Sequence, residues 1–274
     1  MSMTEVMPSR GAAVGDHLRE WRLRRRMSQL VLACEADVSS RHLSFVETGR
    51  AQPSREMILR LAERLEVPMR ERNVLLVAGG FAPVFPERSL DAPELAAAKA
   101  ALDILLEGHK PYPAFAIDRH WNIVASNGAL PQLYDGIDPA LVAPPVNALR
   151  LSLHPKGLGP RIVNFGEWCA HVVDRLRQQI ELTADAGLIQ LLEEVRGYAR
   201  LQPGRPRPAP AAAPQMVVPF RVTLAGEIAS FFTTTMVFGT PVEVTLSELA
   251  LESFFPADPE TAALVNRLAG LPAT

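Results

Sequence analysis

The sequence predicts two domains, an all-α domain of five helices followed by an α+β domain with an antiparallel sheet. The chain has 274 residues, a length for which two domains are the first expectation. Helical periodicity runs through residues 14–80, whereas several later segments alternate apolar and polar residues as strands do. We therefore expect domains at 14–80 and 94–274, a linker at 81–93 and a disordered N-terminus at 1–13.

The all-α domain begins with three helices whose ends are marked in the sequence. Apolar residues at three- and four-residue spacing between positions 14 and 21 predict the first helix. Ser28 and Ser39 each precede a short helical run and are suited to cap the second and third helices. Gly49 then stands where a C′ glycine ends the third helix.

Two further helices complete this domain before a proline-rich connection. Ser54 opens a fourth helix, and residues 68–81 predict a fifth that closes at Gly79 and Gly80. The segment APVFPERSLDAP, which makes up nearly all of the predicted linker, carries three prolines, which stiffen an extended chain.

The second domain mixes helical and strand-like segments. Its last two strands are joined through Ala225 and Gly226, a good turn for an antiparallel hairpin. The segments are a helix at 94–108, two short strands within 113–127, a helix at 164–180, a proline-rich mobile loop at 202–215 and two longer strands at 216–224 and 227–239.

The outer face of the third helix has the chemistry of base recognition. Ser40 and Ser44 stack at i, i+4 spacing, and Arg41 and Phe45 stand beside them. Hydroxyls, a bidentate donor and an apolar plate are the groups that read base edges in a major groove. The alternative is a solvated face of an ordinary helical bundle. With Gln29 and Arg50 as expected phosphate ligands, the predicted DNA-contacting residues are Gln29, Ser39, Ser40, Arg41, Ser44, Phe45 and Arg50.

The segments SQLVLA, VSSRHLSFVETGR and PSREMILRLAERLEV resemble the helix-turn-helix of the Xre family, the group of phage repressors and Cro. Two positions depart from the family, since Arg26 and Asp37 stand where it commonly has glycine. Both positions favour a left-handed backbone, which Asp tolerates better than Arg. The resemblance implies a structural ion pair between Arg22 and Glu47 that bridges the first helix to the end of the third. The alternative is two independent surface charges.

The segment LLEGHKPYPAFAIDRHWNIVASN, preceded by ERNVLLVAGGFAP, resembles the MmyB-like regulators, as does EWCAHVVDRLR. In that family an Xre-type domain precedes a PAS-like ligand-binding domain. The resemblance therefore implies a small-molecule sensor, with fatty acid as the ligand type. It is weaker beyond Gln179, where the proline-rich loop is a departure. The matching positions are His109, Pro111, Pro113, Asp118, Arg119, Trp121 and Asn127.

An apolar pocket is expected between the C-terminal sheet and the helix at 164–180. We place Phe220, Phe232, Met236 and Phe238 on one sheet face, which a helix must cover. Aromatic and methionine side chains between a sheet and a helix can line a site for an apolar ligand. The alternative is an ordinary core. The predicted ligand-binding residues are Phe115, Trp121, Phe165, Trp168, Val172, Phe220, Phe232, Met236 and Phe238.

Composition and motifs exclude several other classes. The formal net charge is −2, but residues 1–80 carry 13 Arg and no Lys against 10 acidic residues, which suits a nucleic-acid-binding domain. No G-x-S-x-G, H-E-x-x-H or phosphate-cradling loop occurs, so we expect no enzyme, no metal and no cofactor. No apolar stretch is long enough to span a membrane, and no signal peptide precedes the first helix. Two distant cysteines, Cys34 and Cys169, favour a reduced cytoplasm.

These observations predict a cytoplasmic, ligand-responsive DNA-binding transcription regulator. Its partners would be double-stranded DNA with a palindromic operator, a small apolar ligand such as a fatty acid, and a second copy in a homodimer. The rival interpretation is a DNA-binding regulator whose second domain binds a protein partner, as in an antitoxin or an anti-activator. An enclosed apolar cavity would favour the sensor, and a broad exposed apolar patch would favour the partner domain.

Overall fold

The computed structural model describes residues 13–201 and 218–271. The chain forms two compact units, one made mostly of residues up to Glu87 and the other mostly of residues from Arg88 onward. Residues 1–12 of the predicted disordered N-terminus and the predicted loop at 202–215 lie outside the described residues.

The first unit contains the five predicted helices, so the expected all-α class is confirmed. The helices are α1 (Val14–Arg24), α2 (Gln29–Glu35), α3 (Ser40–Glu47), α4 (Arg55–Arg64) and α5 (Met69–Ala78). Ser28, Ser39 and Ser54 cap α2, α3 and α4, because each hydroxyl accepts a hydrogen bond from the backbone N–H three residues ahead. Leu18 and Leu43 are fully buried in the core between these helices.

The turns between these helices adopt left-handed backbone without glycine at three places, Arg26, Asp37 and Glu66. Arg26 has φ 54° and Asp37 has φ 52°, so both departures from the family pattern keep the backbone that glycine would favour. Gly49 has φ 70° and follows α3 at C′, as the sequence predicts.

A close approach of α1 to α3 depends on Gly15. A Cβ added there would lie 2.1 Å from the carbonyl oxygen of Val46, which no side chain can tolerate without movement of the backbone. The glycine therefore sets the spacing at which α3 is held, although the sequence offers no sign of this role.

The first residues of the predicted linker are held against α5. The Asn73 side chain accepts hydrogen bonds from the N–H groups of Val84 and Phe85 and donates one to the carbonyl of Phe85, at 2.7–3.1 Å. Arg70 forms an ion pair with Glu87 at 2.6 Å. Residues 84–87 are thus part of the first unit, which shortens the span that can act as a connection.

The second unit is built on one antiparallel sheet of five strands, so the expected α+β class with an antiparallel sheet is confirmed. The strands are β1 (Ala114–Ile117), β2 (Ile123–Ser126), β3 (Phe220–Leu224), β4 (Glu227–Val237) and β5 (Ala250–Pro256). Their order across the sheet is β2-β1-β5-β4-β3. The central strand, β5, lies near the end of the described chain and was not predicted. The helices are α6 (Ala96–Gly108), α7 (Pro139–Val142), α8 (Ala148–Leu153), α9 (Phe165–Thr183), α10 (Ala186–Arg200), α11 (Val244–Ser247) and α12 (Pro259–Leu268).

The predicted face of β4 is wrong. The hairpin turns through Ala225 and Gly226, so Leu224 pairs with Glu227 and Phe220 pairs with Phe231. Phe231 is therefore the inward residue and is 1% exposed, as its position opposite Phe220 requires.

The three side chains assigned to the inner face project to the other side of the sheet or beyond its end. Phe232 is 37% exposed and stacks on Phe255, while Met236 is 51% exposed. Phe238 follows β4 and packs against a second cluster that contains Leu102 of α6 and Ala116 of β1. The outer face of the sheet is thus covered at β1 and β5 and open along β4.

Candidate functional sites

The exposed face of α3 presents a guanidinium supported by an aromatic ring. The guanidinium carbon of Arg41 lies 5.5 Å from the centroid of the half-buried Phe45 ring, which orients it at the surface. Ser40 is exposed and Ser44 is half-buried beside them. The face therefore offers a fixed bidentate donor and hydroxyl groups in one turn of helix, which is the chemistry of base-edge recognition.

Two of the hydroxyls in this region have structural partners. The Ser39 side chain accepts the backbone N–H of His42 and so caps the helix. The Thr48 hydroxyl donates to the carbonyl of Ser44 at 2.7 Å. Both groups stiffen the ends of α3.

A buried ion pair ties α3 to the two helices before it. Arg22 makes two parallel 2.7 Å hydrogen bonds to the carboxylate of Glu47, and its third nitrogen donates to the carbonyl of Met27 at 2.9 Å. The side chains are 9% and 1% exposed. The amide nitrogen of Gln29 donates to the same carboxylate at 2.8 Å. One carboxylate thus joins α1, the start of α2 and the end of α3.

The electrostatics of this cluster favour the ionised pair. Burial of the Glu47 carboxylate acts to raise its pKa, but the hydrogen bonds from Arg22 and Gln29 outweigh it and hold the pKa below its usual value. Gln29, predicted to meet a phosphate, is positioned by Glu47 at the N-terminus of α2. Arg50 is exposed directly after Gly49, and its backbone N–H donates to the carbonyl of Phe45 at 2.7 Å. Its side chain therefore leaves the end of α3 at the surface.

An apolar pocket lies within the second unit, between the inner face of the sheet and the helices that cover it. The space between its walls that no atom fills is about 580 Å³, part of which is open solvent. Within that space, the centre of a water molecule can occupy about 50 Å³. By the latter measure one water needs roughly 10–15 Å³, so the pocket as it stands has room for a few waters. The lining residues are Phe115, Trp121, Leu130, Leu133, Ala148, Leu149, Leu151, Ser152, Leu158, Trp168, Val172, Arg175, Phe220, Thr233, Glu252 and Phe254.

Five of the nine predicted ligand-binding residues line this pocket and four do not. Phe165 is buried in the core of the same unit but lies behind the wall. Phe232, Met236 and Phe238 are outside it because of the register of the β3–β4 hairpin. The predicted residues that do line it are Phe115, Trp121, Trp168, Val172 and Phe220.

The leucines and the polar lining groups were missed. All five lining leucines lie between residues 130 and 158, in or next to short helical turns that carry little periodic signal. Arg175 stands three residues after Val172 on α9, a spacing that shares a helix face and could have placed it in the pocket.

One side of the pocket carries an ion pair. Arg175 donates to the carboxylate of Glu252 on β5 at 2.6 and 3.3 Å, and the Glu252 side chain is 5% exposed. Thr235 on β4 is hydrogen-bonded to both partners. The guanidinium carbon also lies 5.0 Å from the centroid of the Trp121 ring.

The two tryptophans in the wall are held by their ring N–H groups. Trp121 has φ 67°, a left-handed conformation that is strained for a side chain of this size, and its indole N–H donates to Gln179 at 2.8 Å. The indole N–H of Trp168 donates to the hydroxyl of Ser152 at 2.9 Å. Both rings are therefore fixed in orientation while their faces line the pocket.

Comparison with known families identifies both units. Residues 98–268 match the model described as the MmyB-like transcription regulator ligand binding domain, and residues 13–75 match a helix-turn-helix domain. The chain belongs to the MmyB-like transcription regulator family. It thus joins a helix-turn-helix DNA-binding domain to a ligand-binding domain, the organisation of a ligand-sensing transcription regulator.

No curated protein matches the chain. A solved structure entitled "Structure of an RNA-binding Light-Oxygen-Voltage Receptor" aligns with 94% of this chain at 13% identity and a TM-score of 0.26. The match covers 64% of that chain, so the present chain spans less than two thirds of its length.

Asn127, one of the positions that carried the resemblance, has a structural role in the MmyB-like domain. The Asn127 side chain, 1% exposed, accepts from the N–H groups of Ala114 and Ala129 and donates to the carbonyls of Leu106 and Tyr112. It therefore joins α6, β1 and the end of β2.

Among the described residues no cluster of His, Cys, Asp or Glu is placed to hold a metal ion, and no helix is long and apolar enough to cross a membrane.

Proposed function

We propose that the protein is a sequence-specific transcription regulator whose C-terminal domain senses an apolar small molecule and thereby changes the affinity of the N-terminal domain for its operator. The observation that carries the proposal is the apolar pocket, with Trp121, Trp168 and Val172 in its walls, inside a domain that matches a ligand-binding family. Fatty acids are the first ligands to test, since the family resemblance implies them.

On the DNA side, we assign base contacts to Arg41, Ser40 and Ser44 and phosphate contacts to Arg50 and Gln29. The assignment is supported by the surface position of Arg41 on the Phe45 ring and of Arg50 just beyond α3. Phosphate contacts fix the orientation of the helix, while contacts to base edges carry the sequence preference.

A ligand can change the conformation of the domain by opening the pocket, whose present volume is small. The pocket as it stands has room for a few waters, and we propose that its walls move apart when a longer chain binds. A ligand can shift an equilibrium only by its differential affinity for two states. An acyl chain that fits only the opened pocket has such a difference, and it would favour the opened arrangement of the domain.

The test is operator affinity measured with and without ligand. An operator is first selected from random duplex DNA by the purified protein, and its affinity is then measured with medium- and long-chain fatty acids and with uncharged compounds of the same chain length. We expect at least one of these compounds to change it about 5- to 150-fold in wild type, the usual range of coupling between two sites. Val172→Trp, which fills the pocket, should abolish the response, whereas Ile189→Trp, on a partly exposed position of α10 outside the pocket, should keep it.

Unchanged operator affinity across a panel that also contains uncharged long-chain compounds would contradict ligand sensing. A response that persists in Val172→Trp would instead place the ligand elsewhere. If both variants bind the operator less tightly than wild type by the same factor in the absence of ligand, the substitutions have disturbed folding, which circular dichroism would detect.

A second candidate function, protein binding, is favoured by the open outer face of β4. Ile228, Phe232 and Met236 share that face and are 52%, 37% and 51% exposed. We propose a second copy of the chain as the partner, because one helix-turn-helix covers one half-site and a palindromic operator needs two. Light scattering at micromolar concentration should show a dimer in wild type and a monomer in Phe232→Ser/Met236→Ser. A monomeric wild type that binds DNA one to one would contradict the homodimer.

A further inference from the structure

The charged groups in the pocket wall cancel each other. Among the described residues that line it, Arg175 and Glu252 are the two that carry charge. They form a bidentate ion pair in which the Glu252 side chain is 5% and the Arg175 side chain 26% exposed. The polar side of the pocket therefore has a positive and a negative group but no net charge.

The guanidinium is already engaged on several sides. Its Nη2 donates to Glu252 at 2.6 Å and to the hydroxyl of Thr235 at 3.0 Å, and its Nη1 donates to the second carboxylate oxygen at 3.3 Å. The Trp121 ring lies at 5.0 Å from its carbon atom. The Thr235 hydroxyl in turn donates to Glu252 at 2.9 Å, which orients the carboxylate.

We propose that this pocket selects amphiphiles with an uncharged polar head that can both accept and donate a hydrogen bond, such as an amide or an alcohol, over ionised carboxylates. The inference rests on the proposed ligand-sensing function and specifies the head group of the ligand. A carboxylate that reached Arg175 would stand within a few Å of Glu252, where two like charges repel strongly because little water separates them. The ligand carboxylate and Glu252 would also both offer only hydrogen-bond acceptors, so no hydrogen bond could form between them.

An uncharged head meets both members of the pair. The carbonyl or hydroxyl oxygen of the ligand accepts a hydrogen bond from Arg175, and an amide N–H or hydroxyl hydrogen donates one to Glu252. The ion pair then remains intact, and no buried charge is left without its partner, which would be costly. The acyl chain of the ligand packs against the apolar wall, which includes Trp168 and Phe220.

The charge of Glu252 is the deciding element. Glu252→Gln keeps the shape of the side chain and leaves Arg175 with a positive charge that a ligand carboxylate can neutralise. The variant should therefore shift the preference toward the carboxylate. Glu193→Gln is the matched control, because Glu193 also pairs with an arginine, Arg196, but on the exposed side of α10 and outside the pocket.

The experiment is calorimetric titration of the full-length protein with decanamide, 1-decanol and decanoate at pH 8, where decanoate is ionised. In wild type and Glu193→Gln we expect decanamide to bind at least about tenfold more tightly than decanoate. In Glu252→Gln the ratio of the two affinities should move toward decanoate by about tenfold or more. Decanamide and decanoate have heads of similar shape that differ in charge and in the amide N–H donors, the two features on which the inference depends.

Tighter binding of decanoate than of decanamide in wild type would overturn the inference while leaving ligand sensing intact. An unchanged ratio in folded Glu252→Gln would overturn it as well. If Glu252→Gln does not fold, as judged by circular dichroism, the wild-type series decides alone. Failure of all three probes to bind would overturn both this inference and the proposed acyl ligand.

Discussion

Replacing Glu47 by Gln should loosen the whole DNA-binding domain rather than one contact. The Arg22 and Glu47 side chains are 9% and 1% exposed, and the substitution leaves the guanidinium buried without a carboxylate to balance its charge. Breaking a buried pair by removal of one partner costs about 3–5 kcal/mol. Because the Met27 hydrogen bond survives and the substituted amide can still accept one bond, we expect the low end, about 3 kcal/mol.

Hydrogen exchange measures this effect inside the full-length chain. The free energy of opening for amides of α1 and α3 should fall by about 3 kcal/mol, so their exchange should accelerate about a hundredfold. Amides of α9 serve as the internal reference. Glu63→Gln, an exposed residue of α4, is the control and should change the opening free energy by no more than about 0.5 kcal/mol. Equal exchange in the Glu47 and Glu63 variants would refute the role of the pair.

Acidification should show the same interaction in wild type. The pKa of Glu47 in the folded domain lies below its usual value, in spite of burial, because Arg22 and Gln29 bind the ionised form. A depressed folded-state pKa gives stability that is present above the unfolded pKa, about 4.3, and is lost as the pH falls through the folded pKa. Opening of α1 and α3 should therefore grow more frequent as the pH falls below about 4.3 in wild type, and this pH dependence should be weaker in Glu47→Gln.

Other substitutions test the surface of α3 and the packing behind it. Arg41→Ala should cost about 1–3 kcal/mol of operator binding and relax the preference at one base pair, whereas Arg50→Ala should weaken all sequences alike and reduce the salt slope by about 1. Equal losses on operator and random DNA for Arg41→Ala, measured by fluorescence anisotropy, would exclude base reading. Gly15→Ala should destabilise the first unit by about 1–3 kcal/mol, since the new methyl group would meet the carbonyl of Val46 at 2.1 Å, while Gly108→Ala meets no atom within 4 Å and should not. A Gly15→Ala protein as resistant to urea as Gly108→Ala would contradict this packing.

The five N-terminal helices could be predicted because their signals are local. The capping hydroxyls of Ser28 and Ser39, and the glycine after α3, lie within a few residues of the ends they mark. The role of Gly15 could not be read in this way, because the atom it would strike belongs to Val46, on another helix.

The central strand β5 escaped prediction because its stability depends on distant residues. Glu252, a charged residue in the middle of the strand, is buried only because Arg175 on α9 pairs with it. In a sequence, a charged residue at such a position is assigned to the surface unless its buried partner is known. The same pair is the polar side of the pocket, so missing the strand also concealed the chemistry of the site.

The face of β4, in contrast, could have been obtained from the sequence. A two-residue turn at Ala225 and Gly226 fixes Leu224 opposite Glu227 and therefore Phe220 opposite Phe231. Counting outward from the turn gives Ala229 and Phe231 as inward residues of β4. Phe232 is one residue out of this register and therefore lies on the outer face.

The most direct test of ligand-dependent DNA binding is the dissociation constant of the ligand measured with and without saturating operator DNA. Coupling between two binding sites is reciprocal, so the factor by which the ligand changes operator affinity must equal the factor by which the operator changes ligand affinity. We predict equal factors, about 5- to 150-fold, in wild type, and no ligand binding in either condition for Val172→Trp. A ligand that binds wild type with the same dissociation constant in the presence and absence of the operator would contradict ligand control of DNA binding.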